Sequence, residues 1–566
     1  MKKYRAPLFR QAFMVSWTLA GWAAFCATSA LAQSVPNLTV TTPGGFPGMP
    51  VMTSIAQGTN SVTLTWDGPS GYYQLYKKSS LNGSSWTKVG GSTLKWQATV
   101  AIAPGNAFFR VSGPSPHYAG SQACTECHNS IQSKVLQTPH ASAFTDAHFA
   151  AAGGQTNPNC LTCHTVGYKL PTGFVSKSAT PKLENVQCEN CHGPAANHAA
   201  NPDDFTVVPQ VEIAATLCGG CHDGSMQPTY SEWSSSPHAA IPQAALNSMA
   251  SSSANLSGCG RCHSGSVRLA LLNGQNPSTV ANDYNVPITC VVCHDPHQNT
   301  AYPAQVRNPL ASTNYYSLST SANFATAYNP NINICGQCHN SRGADWKTDT
   351  SRAPHHSQQY NILLGSIGEL PGGSATYNPG AHAGLTNSAQ YSISGTYYLT
   401  NQCVSCHMQQ DPPPATTQSH AFTFGNFTAC LNCHPSNPEG LYEDVMVPAV
   451  SNRVYNLKFA LDYWAENDAD PAIQTSGVLP WEYTNPGGLI WQTNQLGKIT
   501  GWTQVDTVDF KGPDTAGQAL IPDNIKRARF NLYLVLNDGS FGVHNPYFAL
   551  DLLDTAYDWV LDEIYN

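Results

Sequence analysis

Hydrophobic and polar positions alternate early in the chain. Val62, Leu64 and Trp66 are separated by Ser61, Thr63 and Thr65, the period-two pattern of a strand with one buried face. Tyr72-Tyr73-Gln74-Leu75-Tyr76 follows a Gly-Pro-Ser-Gly turn. Asn82-Gly83 is a turn signal ahead of Ser85-Trp86-Thr87-Lys88-Val89. Ala98 to Ile102 and Ala107 to Val111 complete about five to seven strands, enough for a small sandwich. Towards the other end the period becomes helical. Leu457, Ala460, Leu461 and Trp464 fall on one face. Ile525 to Leu536 reads as a second helix, stopped by Gly539. Asn545-Pro546 is an N-cap followed by proline at the first helical position. Ala549, Leu552, Leu553, Ala556, Trp559 and Val560 then form one apolar stripe. Packing in a core accounts for all of these apolar positions.

Between these regions, the Pro and Gly content of residues 114–435 fits short helices and loops. Nine copies of Cys-x-x-Cys-His run through this stretch, at Cys124/Cys127, Cys160/Cys163, Cys188/Cys191, Cys218/Cys221, Cys259/Cys262, Cys290/Cys293, Cys335/Cys338, Cys403/Cys406 and Cys430/Cys433. The histidines that complete them are His128, His164, His192, His222, His263, His294, His339, His407 and His434. This spacing attaches c-type haem: two thiols add to the haem vinyl groups, and the adjacent histidine is the proximal iron ligand. A disulfide framework requires no histidine after each pair. Structural zinc takes two such pairs per ion and no fixed Cys-His adjacency. Nine covalent haems and their iron are therefore expected. With about 35 residues of chain per motif, the porphyrins must serve as the core.

The remaining cysteine, Cys26, lies in an N-terminal segment of another kind. Lys2, Lys3, Arg5 and Arg10 make a basic start, and an apolar run from Ala12 to Ala32 follows, ending Ala30-Leu31-Ala32. That pattern predicts a secretory signal peptide cleaved after Ala32, with a membrane anchor as the alternative. Phe25 before Cys26 counts against a lipoprotein site. No later stretch is apolar enough to span a bilayer. Export to the periplasm or the cell exterior agrees with the haem motifs.

Charge narrows the partners. The chain has 26 basic and 34 acidic residues, and the signal segment takes four of the basic ones with it. Haem propionates would add further acid. Such a surface repels nucleic acid and prefers basic patches on proteins or minerals. Charged residues make up only 11% of the chain, consistent with an exported, loop-rich protein.

The histidine count then decides the chemistry. Of 20 histidines, nine are proximal; His117, His140, His148, His198, His238, His297, His355, His356, His382, His420 and His544 remain. Ligating every iron twice would use nine of these. Iron held by two histidines has no open position, moves electrons, and has a lower potential than iron with Met/His ligation. Met408, the methionine beside a haem motif, reads as packing. His297, three residues past His294, is expected to bind a neighbouring iron. His148 and one of His355 and His356 are expected to be left over.

Residues 117–222 resemble the tetrahaem electron-transfer cytochrome of ammonia oxidisers. The shared pieces are Pro116-His117-Tyr118-Ala119-Gly120, Thr138-Pro139-His140-Ala141, Cys163-His164-Thr165-Val166-Gly167-Tyr168 and Val186 to Pro194 with His198 beyond. This resemblance implies that His117, His140 and His198 are distal ligands. Residues 353–434 and 542–547 resemble the superfamily of pentahaem nitrite reductase, hydroxylamine oxidoreductase and their octahaem relatives. They do so through Pro354-His355-His356, Ala381-His382-Ala383, Cys403 to Met408, Ser419-His420, Cys430 to His434 and Gly542-Val543-His544-Asn545-Pro546. That resemblance implies distal roles for His382, His420 and His544, and an active-site position for His355 or His356. The Cys-x-x-Cys-Lys motif of the catalytic haem in those reductases is absent here. The β segment resembles a fibronectin type III domain.

The fold expected is multidomain: a signal peptide at 1–32, a small β-sandwich at 33–113, a mainly α, loop-rich haem domain at 114–435, and C-terminal helices at 436–566 packing on it. The function expected is electron transfer to or from redox proteins or an external acceptor, more a carrier than an enzyme. An oxidoreductase of a small nitrogen or sulfur compound is the alternative. It would have one open iron, with His355 and His356 as its catalytic residues. A subunit of a conductive filament is a third reading.

Overall fold

The computed structural model describes residues 51–565 apart from 58–60, 68–72, 79–86, 94–96, 102–107, 113–116, 204–207, 210–212, 278–285, 308–332, 349–351, 383–401, 412–416, 485–488, 494–498, 505–511 and scattered single or paired positions. The segment with Cys26 expected to be a signal peptide, the Asn82-Gly83 turn and Cys433 lie outside the described residues.

Six strands, β1 (Val51–Gln57), β2 (Ser61–Asp67), β3 (Tyr73–Lys78), β4 (Thr87–Thr93), β5 (Gln97–Ala101) and β6 (Phe108–Ser112), form two antiparallel sheets. Their orders are β1-β2-β5 and β4-β3-β6. The alternation decides which face is buried. Val62, Leu64 and Trp66 point inward and pack with Tyr73, Leu75 and Val100 from both sheets. Trp66 meets Tyr73 edge-on, with ring centroids 5.8 Å apart. Strand β1 has no clear alternation in the sequence; it pairs with β2 through a register shift between Met52 and Ser54.

From Tyr118 onward the elements become short. The Cys-x-x-Cys-His motifs sit on single turns and short helices, including Pro158–His164, Cys188–His192, Cys290–Cys293 and Gln402–His407. A helical turn brings residues three apart to one face, so both sulfurs point the same way and the histidine follows. Around the first five motifs the described apolar side chains form small clusters, such as Tyr118, Phe144, Leu161, Val166, Phe174 and Leu183. Glu189, inside the third motif, is buried and ties the chain together. Its carboxylate accepts the backbone N–H groups of Ala119 (2.9 Å), Gly120 (2.8 Å) and Ala195 (2.8 Å).

The C-terminal region has a conventional core. Helices α1 (Val447–Asn467), α2 (Asp523–Asp538) and α3 (Pro546–Tyr565) bury Leu457, Leu461, Trp464, Ile525, Leu532, Leu552 and Val560 together. Gly539 ends α2 at φ 71°, the left-handed C-cap position that glycine suits. Trp346, Ala353, Ile362 and Ile367, from between the seventh and eighth motifs, join the same core. A hairpin, Leu489–Thr493 with Ile499–Gln504, also lies in this region, which the helical reading of the sequence did not include. No helix among the described residues is long and apolar enough to cross a membrane.

Candidate haem-ligand sites

All 20 histidines are described, and their arrangement is the test of whether this chain fits haem. Seven motif histidines each have another histidine ring across from them at nearly constant spacing. Centroid separations are 6.0 Å for His222–His140, 6.0 Å for His192–His297, 6.2 Å for His339–His238 and 6.1 Å for His263–His355. They are 6.2 Å for His294–His420, His434–His382 and His407–His544. Two imidazoles on one metal, each with its nitrogen at about 2 Å from the ion, place their centroids about 6 Å apart. The spacing leaves room for an iron between the rings. The residues fit the group.

Ring orientation agrees. Ring contacts to backbone or side-chain oxygens are made through Nδ1. His164 Nδ1 bonds Ala143 O at 2.7 Å, His294 Nδ1 bonds Ala304 O at 2.7 Å, and His420 Nδ1 bonds Gln418 O at 2.8 Å. His382 Nδ1 bonds Val543 O, and His355 Nδ1 bonds Ser357 Oγ at 2.9 Å. An N–H donated from Nδ1 fixes the tautomer and leaves the Nε2 lone pair for a metal. Burial is the largest cause acting on the ring pKa values. It pushes His140, His222, His294, His297, His382, His407 and His420 below the ordinary histidine range, His238 to about 4 and His355 to about 3. Neutral imidazole is the form that ligates. His544 differs. Burial pulls its pKa down, but the Asp538 carboxylate, 2.6 Å from Nδ1, outweighs that and holds it above the ordinary value. A carboxylate behind a ligating histidine raises the basicity of the ligand.

Other predicted residues are placed differently. Neither His128 nor His164 has a histidine ring at this spacing among the described residues; Phe149 stacks on the face of His164 at 4.0 Å. His117 and His148 are exposed. The Nδ1 of His198 is buried without a hydrogen-bond partner. His356 lies 6.5 Å from His263 and 4.2 Å from His355, centroid to centroid.

Cys127 is placed unlike the other described attachment cysteines. Its side chain is exposed, whereas the other described motif cysteines are partly buried. The reason is its place in the fold. The first motif opens the haem region on the helix Thr125–Val135, which buries only Gln132. Cys124 turns inward to the thiol of Cys188, while Cys127, three residues on, stays at the surface with His128 exposed beside it. A thiol in that position is accessible for bonding to a haem vinyl group, but protein does not cover it as it covers the others.

The motifs also touch one another out of sequence order. The described motif cysteines are unbridged. Thiols of different motifs lie beside one another: Cys124 and Cys188, Cys163 and Cys221, Cys218 and Cys290, Cys262 and Cys338, and Cys335 and Cys403. Cys191 lies beside Cys218, Cys293 beside Cys335 and Cys338, and Cys406 beside Cys430. The first motif thus meets the third, and the second meets the fourth. Motifs three, four, six, seven, eight and nine follow in series, and the fifth joins at the seventh. Sequence reasoning missed these contacts, and it missed Asp538, Ser357 and Gln227, whose side chains meet the Nδ1 atoms of His544, His355 and His222 (3.1 Å for Gln227). The short spacing of Asp538 to His544 and of Ser357 to His355 was the available signal.

The repeated motif, the ring pairs across it and the family match define a multihaem c-type cytochrome. Residues 123–193 match the family described as cytochrome c554 and c-prime. Cytochrome c-554 of Nitrosomonas europaea is 29% identical over 93 residues, 14% of this chain and 40% of that protein. The C-type polyheme cytochrome OmcC of Geobacter sulfurreducens is 26% identical over 328 residues, 52% of this chain and 39% of that protein. The chain spans about two fifths of the length of these curated relatives. The crystal structure of Outer Cell Wall Cytochrome OcwA is similar at a TM-score of 0.48 and 18% identity, covering 78% of this chain and 99% of that one. The cytochrome c nitrite reductase of Desulfovibrio desulfuricans gives a TM-score of 0.27 at 16% identity, over 54% of this chain and 64% of that one.

Proposed function

We propose that this chain is an exported cytochrome with nine covalent haems that transfers electrons through a series of mostly bis-histidine irons. The observation that carries this reading is the set of seven histidine pairs about 6 Å apart. The haems supply one-electron chemistry. The chain's own residues do the rest. Paired histidines would hold each iron from both sides and leave small molecules no place on it. Nδ1 contacts hold His222, His294, His355, His382, His420 and His544 in place. Contacts between motifs bring successive attachment sites side by side. In this reading His140, His238, His297, His355, His382, His420 and His544 are distal ligands. The signal peptide delivers the chain to the periplasm or beyond, and its partners are redox proteins or an external acceptor. The strands before the haem region form a fibronectin type III-like spacer.

A specific observation favours a second reading. His128 and His164 face no histidine ring among the described residues, so one of their irons is the place where a small nitrogen or sulfur compound would bind if the protein is an oxidoreductase. EPR of the oxidised protein separates the readings by counting low-spin against high-spin irons. At least seven low-spin irons per chain are expected, and a mostly high-spin spectrum would defeat the carrier reading.

A further inference from the structure

The fifth motif is unlike the others in having two histidines within ligating reach. One ring nitrogen from each of His263, His355 and His356 lies within 4.8 Å of the other two. An iron with two trans imidazole nitrogens at about 2 Å separates them by about 4 Å, so either neighbour of His263 is near the right place. The rings of His355 and His356 are stacked at 28° with centroids 4.2 Å apart, so two imidazoles stand beside one position.

The surroundings rank the pair. His355 is the nearer ring by centroid, and its Nδ1 is held by the Ser357 hydroxyl, which donates onward to Asn340 O at 2.7 Å. Ser357 and Asn340 are buried. His356 is more exposed. The backbone between them is pinned to α2. Asn537 Nδ2 donates to Pro354 O at 3.1 Å, and Gln359 Nε2 donates both to His356 O at 3.1 Å and to Asn537 O at 3.2 Å. The main chain is fixed while two imidazoles stay close to one axial position.

We propose that His355 is the resident distal ligand of the fifth-motif iron and that His356 is a built-in reserve which takes the position when His355 leaves it. The inference rests on the haem reading above. Its consequence is that this iron stays six-coordinate through loss of either histidine alone. His355 and His356 therefore close this position to small molecules and do not serve an open iron as catalytic residues.

The test uses the haem-loaded protein and three variants, read by EPR of the oxidised form and by carbon monoxide binding to the reduced form. His356→Ala should leave both readouts unchanged. His355→Ala should stay low-spin, with one signal moved to new g-values as His356 takes over. The double variant should gain one high-spin iron and bind one additional carbon monoxide per chain. A high-spin iron in His355→Ala alone would overturn the reserve, and one in His356→Ala alone would overturn the ranking. A double variant that remains fully low-spin would show that neither residue serves this iron. Ser357→Ala keeps both rings and removes only the Nδ1 acceptor of His355. It should give a mixture of the two low-spin signals, and a spectrum identical to the parent would remove the case for Ser357 as what favours His355. Mass analysis of the peptide carrying Cys259 and Cys262 separates the two levels of argument. Absence of haem there in the parent protein would defeat both readings, whereas the variant spectra bear on the reserve alone.

Discussion

His420 draws its position from three places in the chain. Its ring faces His294 at 6.2 Å, its Nδ1 bonds Gln418 O, and its backbone N–H donates to the Glu232 carboxylate at 2.8 Å. Replacing His420 with Met should change the ligation of one iron and raise its potential by a sizeable part of the roughly 0.8 V that axial ligands span. A redox titration showing no change in any component would remove His420 from the ligand set. Glu482 is a residue whose role is structural. It is buried under α2, where Tyr533 donates its hydroxyl at 2.7 Å and the Tyr483 N–H donates at 2.8 Å. Burial raises its pKa above the ordinary value of 4.5, and these bonds only partly oppose that. A carboxyl group whose pKa is raised by folding contributes stability below its unfolded value and loses it as pH climbs through the folded value. Glu482→Gln can keep both acceptor contacts without the charge. Its melting temperature should gain on the parent as pH rises above about 4.5, and a difference that stays constant with pH would show that Glu482 is already ionised without penalty.

At the scale of elements, the C-terminal helices follow from local rules. Ile525 and Leu532 sit on the buried face of α2, and Asn545-Pro546 starts α3 at the residue expected. Gly539 has positive φ and no atom within 4 Å of where a Cβ would sit. Gly539→Ala should therefore cost about 1 kcal/mol through backbone strain alone, and Gly539→Asn less. Hydrogen exchange of the last turn of α2 measures this; an unchanged rate would mean the cap does not hold the helix end. Leu457, fully buried on α1, should cost about 2–5 kcal/mol on truncation to Ala, read as a loss of thermal stability in the C-terminal core; a loss within about 0.5 kcal/mol would mean that this core does not limit stability. The hairpin Leu489–Thr493 with Ile499–Gln504 was not legible in the same way. Its strands are short, and its Trp491–Trp502 pairing is created by the partner strand and not by any period along the chain.

At the scale of the whole molecule, intact mass of the haem-loaded protein should show nine covalent haems and no disulfide, since nine motifs use every cysteine beyond Cys26. Eight or fewer in mature material would mark one motif as a decoy. The sequence by itself determined which side chains can attach haem and which histidines follow them, because that chemistry is local and its spacing is rigid. It also determined the strand alternation and the helical stripes, because burial of one face imposes a period on neighbouring residues. Only the tertiary structure decided which distant histidine stands across from which motif. His140 faces His222, His297 faces His192 and His544 faces His407. It also decided that the motifs touch out of order, the second beside the fourth and the fifth beside the seventh, and that Cys127 is left at the surface while Cys124 turns inward. The physical reason is that a distal ligand is positioned by chain folding over long loops, and no spacing rule ties a histidine to an iron it does not adjoin. Asp538 behind His544 and Ser357 behind His355 are hydrogen-bond partners of the same kind: ordinary residues in the sequence, given a role by the direction in which a folded neighbour points its Nδ1.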